Sequence, residues 1–188
     1  MHHLREKDIF VKNHTLGWRI TTLAHAFNLQ TLSDKKKENL FTALYAGAVL
    51  VIIALIYYIN INADILNGAV NFFTSLTLST VPTTGIPLPA PANPAAYISL
   101  YNVAFQFAIA IGILEIVILA LRVATHSSVS RKAETIENIV FWLGTGYLTS
   151  TYLVNMTIPS EWFVFWAGVI MIFGLALVAR SFVLLARR

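Results

Sequence analysis

Residues 98–121 read ISLYNVAFQFAIAIGILEIVILAL, a predominantly apolar run in which Glu115 is the one charged side chain. A helix rises about 1.5 Å per residue and a bilayer's hydrocarbon core is about 30 Å thick, so about 20 mostly apolar residues cross it. Two further stretches meet that requirement, Leu40 to Ile59 and Trp162 to Ala179 with its apolar tail. Ile136 to Leu153 is a fourth, weakened by Thr145, Thr149, Ser150 and Thr151 near its end. Four spans are expected, at about 40–59, 98–121, 136–153 and 162–184.

Composition agrees. The chain has 188 residues, 57% of them hydrophobic and 12% charged. A soluble domain needs a surface about one quarter to one third charged, which 9 acids and 13 bases cannot supply here, and this excludes a free cytosolic enzyme. Between Leu40 and Leu121 the only Asp, Glu, Lys, Arg or His residues are Asp64 and Glu115. The formal charge of +4 therefore speaks of topology and not of nucleic acid. Without cysteine there is no disulfide, thiolate metal site, iron-sulfur cluster or cysteine nucleophile. The first 39 residues hold seven Lys/Arg and no apolar run long enough for a secretory signal, so the N-terminus is expected to stay as made.

Charge placement sets the orientation. With four spans, all 13 Lys/Arg fall on one side: seven before the first span, Arg122, Arg131 and Lys132 between the second and third, and Arg180, Arg187 and Arg188 at the end. If Ile65 to Val81 also crossed, the last six would move outside. A multi-pass protein of the cell membrane with both termini cytoplasmic is expected, and Ile65 to Val81 must lie outside or dip in and return. Pro82 to Pro94 holds five prolines, so neither a helix nor a central strand should continue through it, and a stiff external loop is expected. Tyr57, Tyr58, Tyr97, Tyr101, Tyr152, Trp162 and Trp166 all fall toward the outer ends of the spans, as an aromatic belt does. Ahead of the first span, Leu16, Ile20, Leu23 and Phe27 recur on one helical face beside Trp18 and Arg19, which predicts an amphipathic helix on the cytoplasmic interface. Thr31 and Asp34 have the spacing of a capping box that would start a helix at Leu32. The domain division is thus 1–39, a basic cytoplasmic segment, and 40–188, the membrane domain.

Several chemistries lack their residues. None of the five histidines falls within an expected span, so a haem buried between helices has no His ligand, and no cofactor or metal is expected. No glycine-rich nucleotide loop, zinc helix or serine elbow is present. Of two glycosylation sequons, Asn13 to Thr15 and Asn155 to Thr157, only the second would face outside.

Glu115 stands out, because an acid deep in a span is costly. On a helix it shares a face with Ala104, Ala108, Ile111 and Gly112, and the small residues allow another backbone to approach. Read structurally, its carboxyl hydrogen-bonds a neighbouring helix, for instance the cluster Thr145 to Thr151. Read functionally, it is a proton relay or an acid facing an ion pathway. Gly144, Gly146, Gly168 and Gly174 suggest close helix packing.

The stretch from Asn71 to Val81, NFFTSLTLSTV, completes the reading. A helix from Ala69 to Ser79 would rise about 17 Å, enough to enter half a membrane, with its negative dipole end at the point of return. Together with the flanking spans, over about residues 40–121, it resembles the pore helix and filter entrance of tetrameric, potassium-channel-like pore-loop cation channels. The resemblance implies a filter at Thr80, Val81, Pro82, Thr83, Thr84 and Gly85, a hinge at Gly112, and assembly as a homo-oligomer, a tetramer, passing monovalent cations. Where that family's filter has a glycine this chain has Pro82, so strong potassium selectivity is not expected. The alternative for residues 65–81 is an external, threonine-rich helix lying on the bundle.

The sequence thus describes an all-α integral membrane protein with four transmembrane helices, an interfacial N-terminal helix, and an extracytoplasmic re-entrant or half-helix with a proline-rich loop. A pore-loop cation channel-like function is expected. The alternatives are a non-catalytic accessory or scaffold subunit of a larger membrane complex and a small proton-coupled carrier using Glu115. An enzyme is not expected.

Overall fold

A computed structural model describes residues 34–82, 84–156 and 158–186. The expected interfacial helix carrying Leu16, Ile20, Leu23 and Phe27 lies outside the described residues, as do Thr31, Thr83, Thr157, Arg187 and Arg188. The chain divides into two compact units, Met1–Leu40 and Phe41–Arg188, and the fold below is that of the second.

The protein is mostly helical. Helix α1 runs over Asp34–Ile59, α2 over Ile65–Thr74, α3 over Ile98–Ala124, α4 over Val129–Leu148 and α5 over Glu161–Leu185. Among the described residues, three helical segments are long and apolar enough to cross a membrane: Lys35–Ile59, Pro94–Ala124 and Glu161–Leu185. The third expected span is different. Its helix starts at Val129, carries Arg131, Lys132, Glu134 and Glu137 in its first turns, and continues beyond Leu148 as a π-helical segment, Thr149–Val154. The threonine cluster explains that widening. The Thr149 hydroxyl donates to the Thr145 carbonyl at 2.8 Å, and Asn155 closes the segment on the Ser150 carbonyl with its backbone N–H at 3.2 Å and its side chain at 2.9 Å.

Helix α4 is the middle one, packed on α3 along one side and on α5 along the other. Glycines make the approach close. A Cβ on Gly112 of α3 would collide with the Leu143 side chain, one on Gly144 would come within 2.6 Å of Ile172, one on Gly146 within 2.8 Å of Ile109, and one on Gly168 within 2.9 Å of Leu148. Gly174 departs from the expectation, since open space surrounds it. Gly112, expected as a hinge, lies in an uninterrupted helix and serves as a notch for Leu143.

The turn between α3 and α4 is tight. After Thr125, His126 takes a left-handed φ of 54°, and the N–H groups of His126 and Ser127 return to the carbonyls of Val123 (3.2 Å) and Arg122 (2.9 Å). These two bonds satisfy helix-end carbonyls in the Schellman arrangement, with histidine where glycine is usual.

Outside the bundle the expectation for residues 65–81 is corrected. The helix ends at Thr74, and Leu76–Thr80 is a strand, β1. Two causes meet there. The hydroxyls of Thr74 and Ser75 bond back to the Val70 and Phe72 carbonyls at 3.0 and 2.9 Å, and from Leu76 the sequence alternates Leu, Thr, Leu, Ser, Thr with the period of a strand. The proline-rich stretch is also not a plain loop. Pro87–Pro91 forms β2, antiparallel to β1 with Leu76 opposite Pro91, Leu78 opposite Pro89 and Thr80 opposite Pro87. A two-stranded ribbon has no central strand. N–H groups alternate in direction along a strand, so prolines at 87, 89 and 91 lose only those on the open edge, while Leu88 and Ala90 keep theirs for β1.

The hairpin is fastened by aromatic residues. Phe72 meets Tyr97 and Tyr101 edge-on, with ring centroids 5.3 and 6.2 Å away, and Trp162 at 5.8 Å. The Trp162 indole N–H donates to the Pro89 carbonyl at 3.1 Å, and the Tyr97 hydroxyl to the Asn71 carbonyl at 3.1 Å. Ala90, Tyr101, Leu148, Leu153, Trp162 and Phe165 form the buried cluster beneath.

Candidate functional site

One group of polar side chains collects on the half of α3 and α4 nearer the turn that joins them. Glu115 is 3% exposed. It lies on the buried face of α3 with Ala108, Ile111, Gly112 and Ile118, while Ala104, expected on that face, is exposed. Its Oε1 accepts from Asn138 Nδ2 of α4 at 2.9 Å, and the Tyr45 hydroxyl of α1 also bonds to the carboxyl. The partner is therefore not the Thr145 to Thr151 cluster. The turn decides this: Glu115 precedes Thr125 by as many residues as Asn138 follows Ser128, so antiparallel helices leaving a tight turn bring the two to one height. Residues 145–151 sit farther along α4, where Gly146 faces Ala108 and Ile109.

Two turns closer to the helix end, on the same face of α3, Arg122 reaches across to α4. Its Nη1 donates to the Arg131 carbonyl at 2.7 Å and to the Thr135 hydroxyl at 2.5 Å, and its guanidinium stands 6.0 Å from the Phe41 ring centroid. Thr135 is fully buried. Arg180 of α5 pairs with Glu137 of α4 at 2.8 Å. This region thus joins an acid, an amide, a phenol and a guanidinium from α1, α3 and α4, with each of those groups in a hydrogen bond or over a ring. It can hold three helices in register. Among the described residues, no group of three His, Asp or Glu side chains is placed to hold a metal ion.

Of the six residues expected to form a filter, Thr83 is outside the described residues and the other five lie elsewhere. Thr80 ends β1, opposite Pro87, and Val81, Pro82, Thr84 and Gly85 belong to the hairpin turn. The Val81 N–H donates to the Ile86 carbonyl at 2.9 Å, and the Val81 carbonyl accepts from both Thr84 and Gly85, at 3.2 and 2.9 Å. Gly85 supplies the left-handed φ of 67° that closes the turn. Pro82, Thr84 and Gly85 are exposed. Between this hairpin, α2 and α5 lies a cavity of about 700 Å³, with Val81 and Thr84 on its wall.

Sequence reasoning found Glu115 and missed Tyr45, Asn138 and Thr135, and it counted Arg122 only as a topological charge. Asn138 carried a usable signal, as an amide two residues inside the third expected span. Comparison with protein-family models, curated proteins and solved structures finds no match to this chain.

Proposed function

We infer that the chain crosses the membrane four times with both termini cytoplasmic, and that it serves as a non-catalytic subunit or scaffold of a larger membrane complex. The fourth crossing is α4, whose Thr135 and Asn138 side chains are directed to α3 and whose Glu137 is directed to α5. Helix α1 carries the docking reading. It is half-buried along a stripe, Tyr45, Ala48, Val49, Ile52, Ile56 and Asn60, that continues from Phe41, the one buried residue among those of the helix that are described. Two polar contacts bracket that stripe, Tyr45 to Glu115 near one end and Asn60 Nδ2 to Gln106 Oε1, at 2.8 Å, at the other. The opposite face presents Ala43, Gly47 and Ala54 beside Leu50 and Val51, with open space beside Gly47. Small residues so placed let another helix backbone approach.

The turn at Val81 favours this reading over a pore, because that carbonyl is occupied by two N–H groups of its own turn instead of being presented to an ion. Native mass in nanodiscs is the test. The chain recovered with foreign membrane subunits, and released from them by Gly47→Leu, is the expected result. Four identical copies that pass a cationic current in planar bilayers would overturn it in favour of the pore-loop channel. Normal assembly of Glu115→Gln with loss of proton-dependent transport in liposomes would favour the carrier.

A further inference from the structure

The cavity beside the hairpin is far from the Glu115 network, and its chemistry is of one kind. Its wall is formed by Phe72 and Phe73 of α2, Ile86 and Pro89 of the hairpin region, and Trp162 and Trp166 of α5, with no charged side chain on it. The indole N–H of Trp162 is spent on the Pro89 carbonyl, and the Thr84 hydroxyl accepts from the Ile86 N–H at 3.4 Å. A sugar, nucleotide or phosphate placed there would lose its hydration for few partners, the Thr84 hydroxyl and the Trp166 indole N–H. Hydrocarbon would lose nothing.

Access is from the side. Ile170 lines the cavity and is 72% exposed, on a helix apolar enough to span the membrane, and Phe173 and Val178 continue that exposed face along α5. The cavity is therefore continuous with a surface that meets the bilayer, so a lipid chain can enter it without crossing water. Its volume falls within the range of about 300–1,000 Å³ typical of ligand pockets. Trp166 lines it too and is half exposed, offering an amphipathic ring whose one N–H can meet an ester carbonyl. We propose that this cavity binds one acyl chain of a bilayer phospholipid, entering from the lipid-facing side of α5. The site is independent of which larger complex the chain joins.

The full chain, reconstituted in phosphatidylcholine nanodiscs doped with a phospholipid carrying a diazirine within one acyl chain, tests this by photolabelling and peptide mapping. Labelling of Phe72, Ala167 and Ile170 should saturate with probe fraction and be displaced by unlabelled lipid, whereas labelling of Phe173 and Val178 should rise linearly. Ala167→Trp, at an exposed position on the cavity wall, should abolish the saturable component, and Val178→Trp should leave it intact. Linear labelling of the cavity in the wild-type chain, which needs no variant to fold, overturns the proposal. So does an unlabelled cavity in particles whose native mass is that of two copies, because a second chain then fills it.

Discussion

Glu115 is buried and bonds a donor from each of two other helices, which makes the chemistry of its replacement decisive. Glu115→Gln retains an oxygen for Asn138 Nδ2 and should leave the melting temperature in detergent nearly unchanged. Glu115→Leu strands both Asn138 and Tyr45 and should destabilise the protein by about 1–3 kcal/mol, seen as a lower melting temperature by size-exclusion fluorescence. At Gly112 the constraint is volume. Gly112→Val drives two methyl groups into Leu143 and should cost about 1–3 kcal/mol, part of it recovered in the double variant with Leu143→Ala. Both positions were legible in the sequence, one as the lone acid of an apolar run and the other as a small residue one helical turn away. The partners were not, because the height at which two helices meet depends on the turn joining them. That turn is closed by His126 in a conformation no pattern announces.

Element by element, that turn and the hairpin are where local chemistry overrides composition. His126 holds a left-handed φ of 54°, which costs a residue with a Cβ roughly 1–2 kcal/mol, while glycine adds about 0.4–1 kcal/mol of unfolded-state entropy. His126→Gly should therefore raise stability by up to about 1.6 kcal/mol, measured by the same thermal assay. A fall in melting temperature would mean that the imidazole makes contacts worth more than the strain. For β2 the proline rule was sound for central strands and silent about a ribbon in which both strands are edges. For α2 the helix was read too far, since five small hydroxyl residues after Phe73 suit either a polar helix end or a strand, and the alternation from Leu76 settles the choice.

For the molecule as a whole, the three helices long and apolar enough to cross a membrane were legible because length and hydropathy are sums over many residues and forgive local errors. The third expected span was the marginal one, and α4 is the helix that falls short on apolarity. The four-span topology predicts that a single cysteine at Asn93 reacts with an impermeant reagent from outside intact cells, and that one at Ser128 reacts only after permeabilisation. Equal reactivity from outside would mean that α3, the helix between the two positions, does not cross, and would sink the four-span topology.

Helix α4 also bears on how the protein is made. Charged residues partition reluctantly from the translocon into lipid, by up to about 2.5–3.5 kcal/mol each near a helix centre and less toward its ends. A helix whose opening turns carry Arg131, Lys132, Glu134 and Glu137 is a poor substrate for insertion by itself. Its neighbour α3 has already left the ribosome when α4 emerges, with Arg122 and Glu115 waiting at the heights where Thr135 and Asn138 arrive. On the four-span topology the two enter the bilayer as a preassembled hairpin, so biogenesis of α4 depends on a segment translated before it.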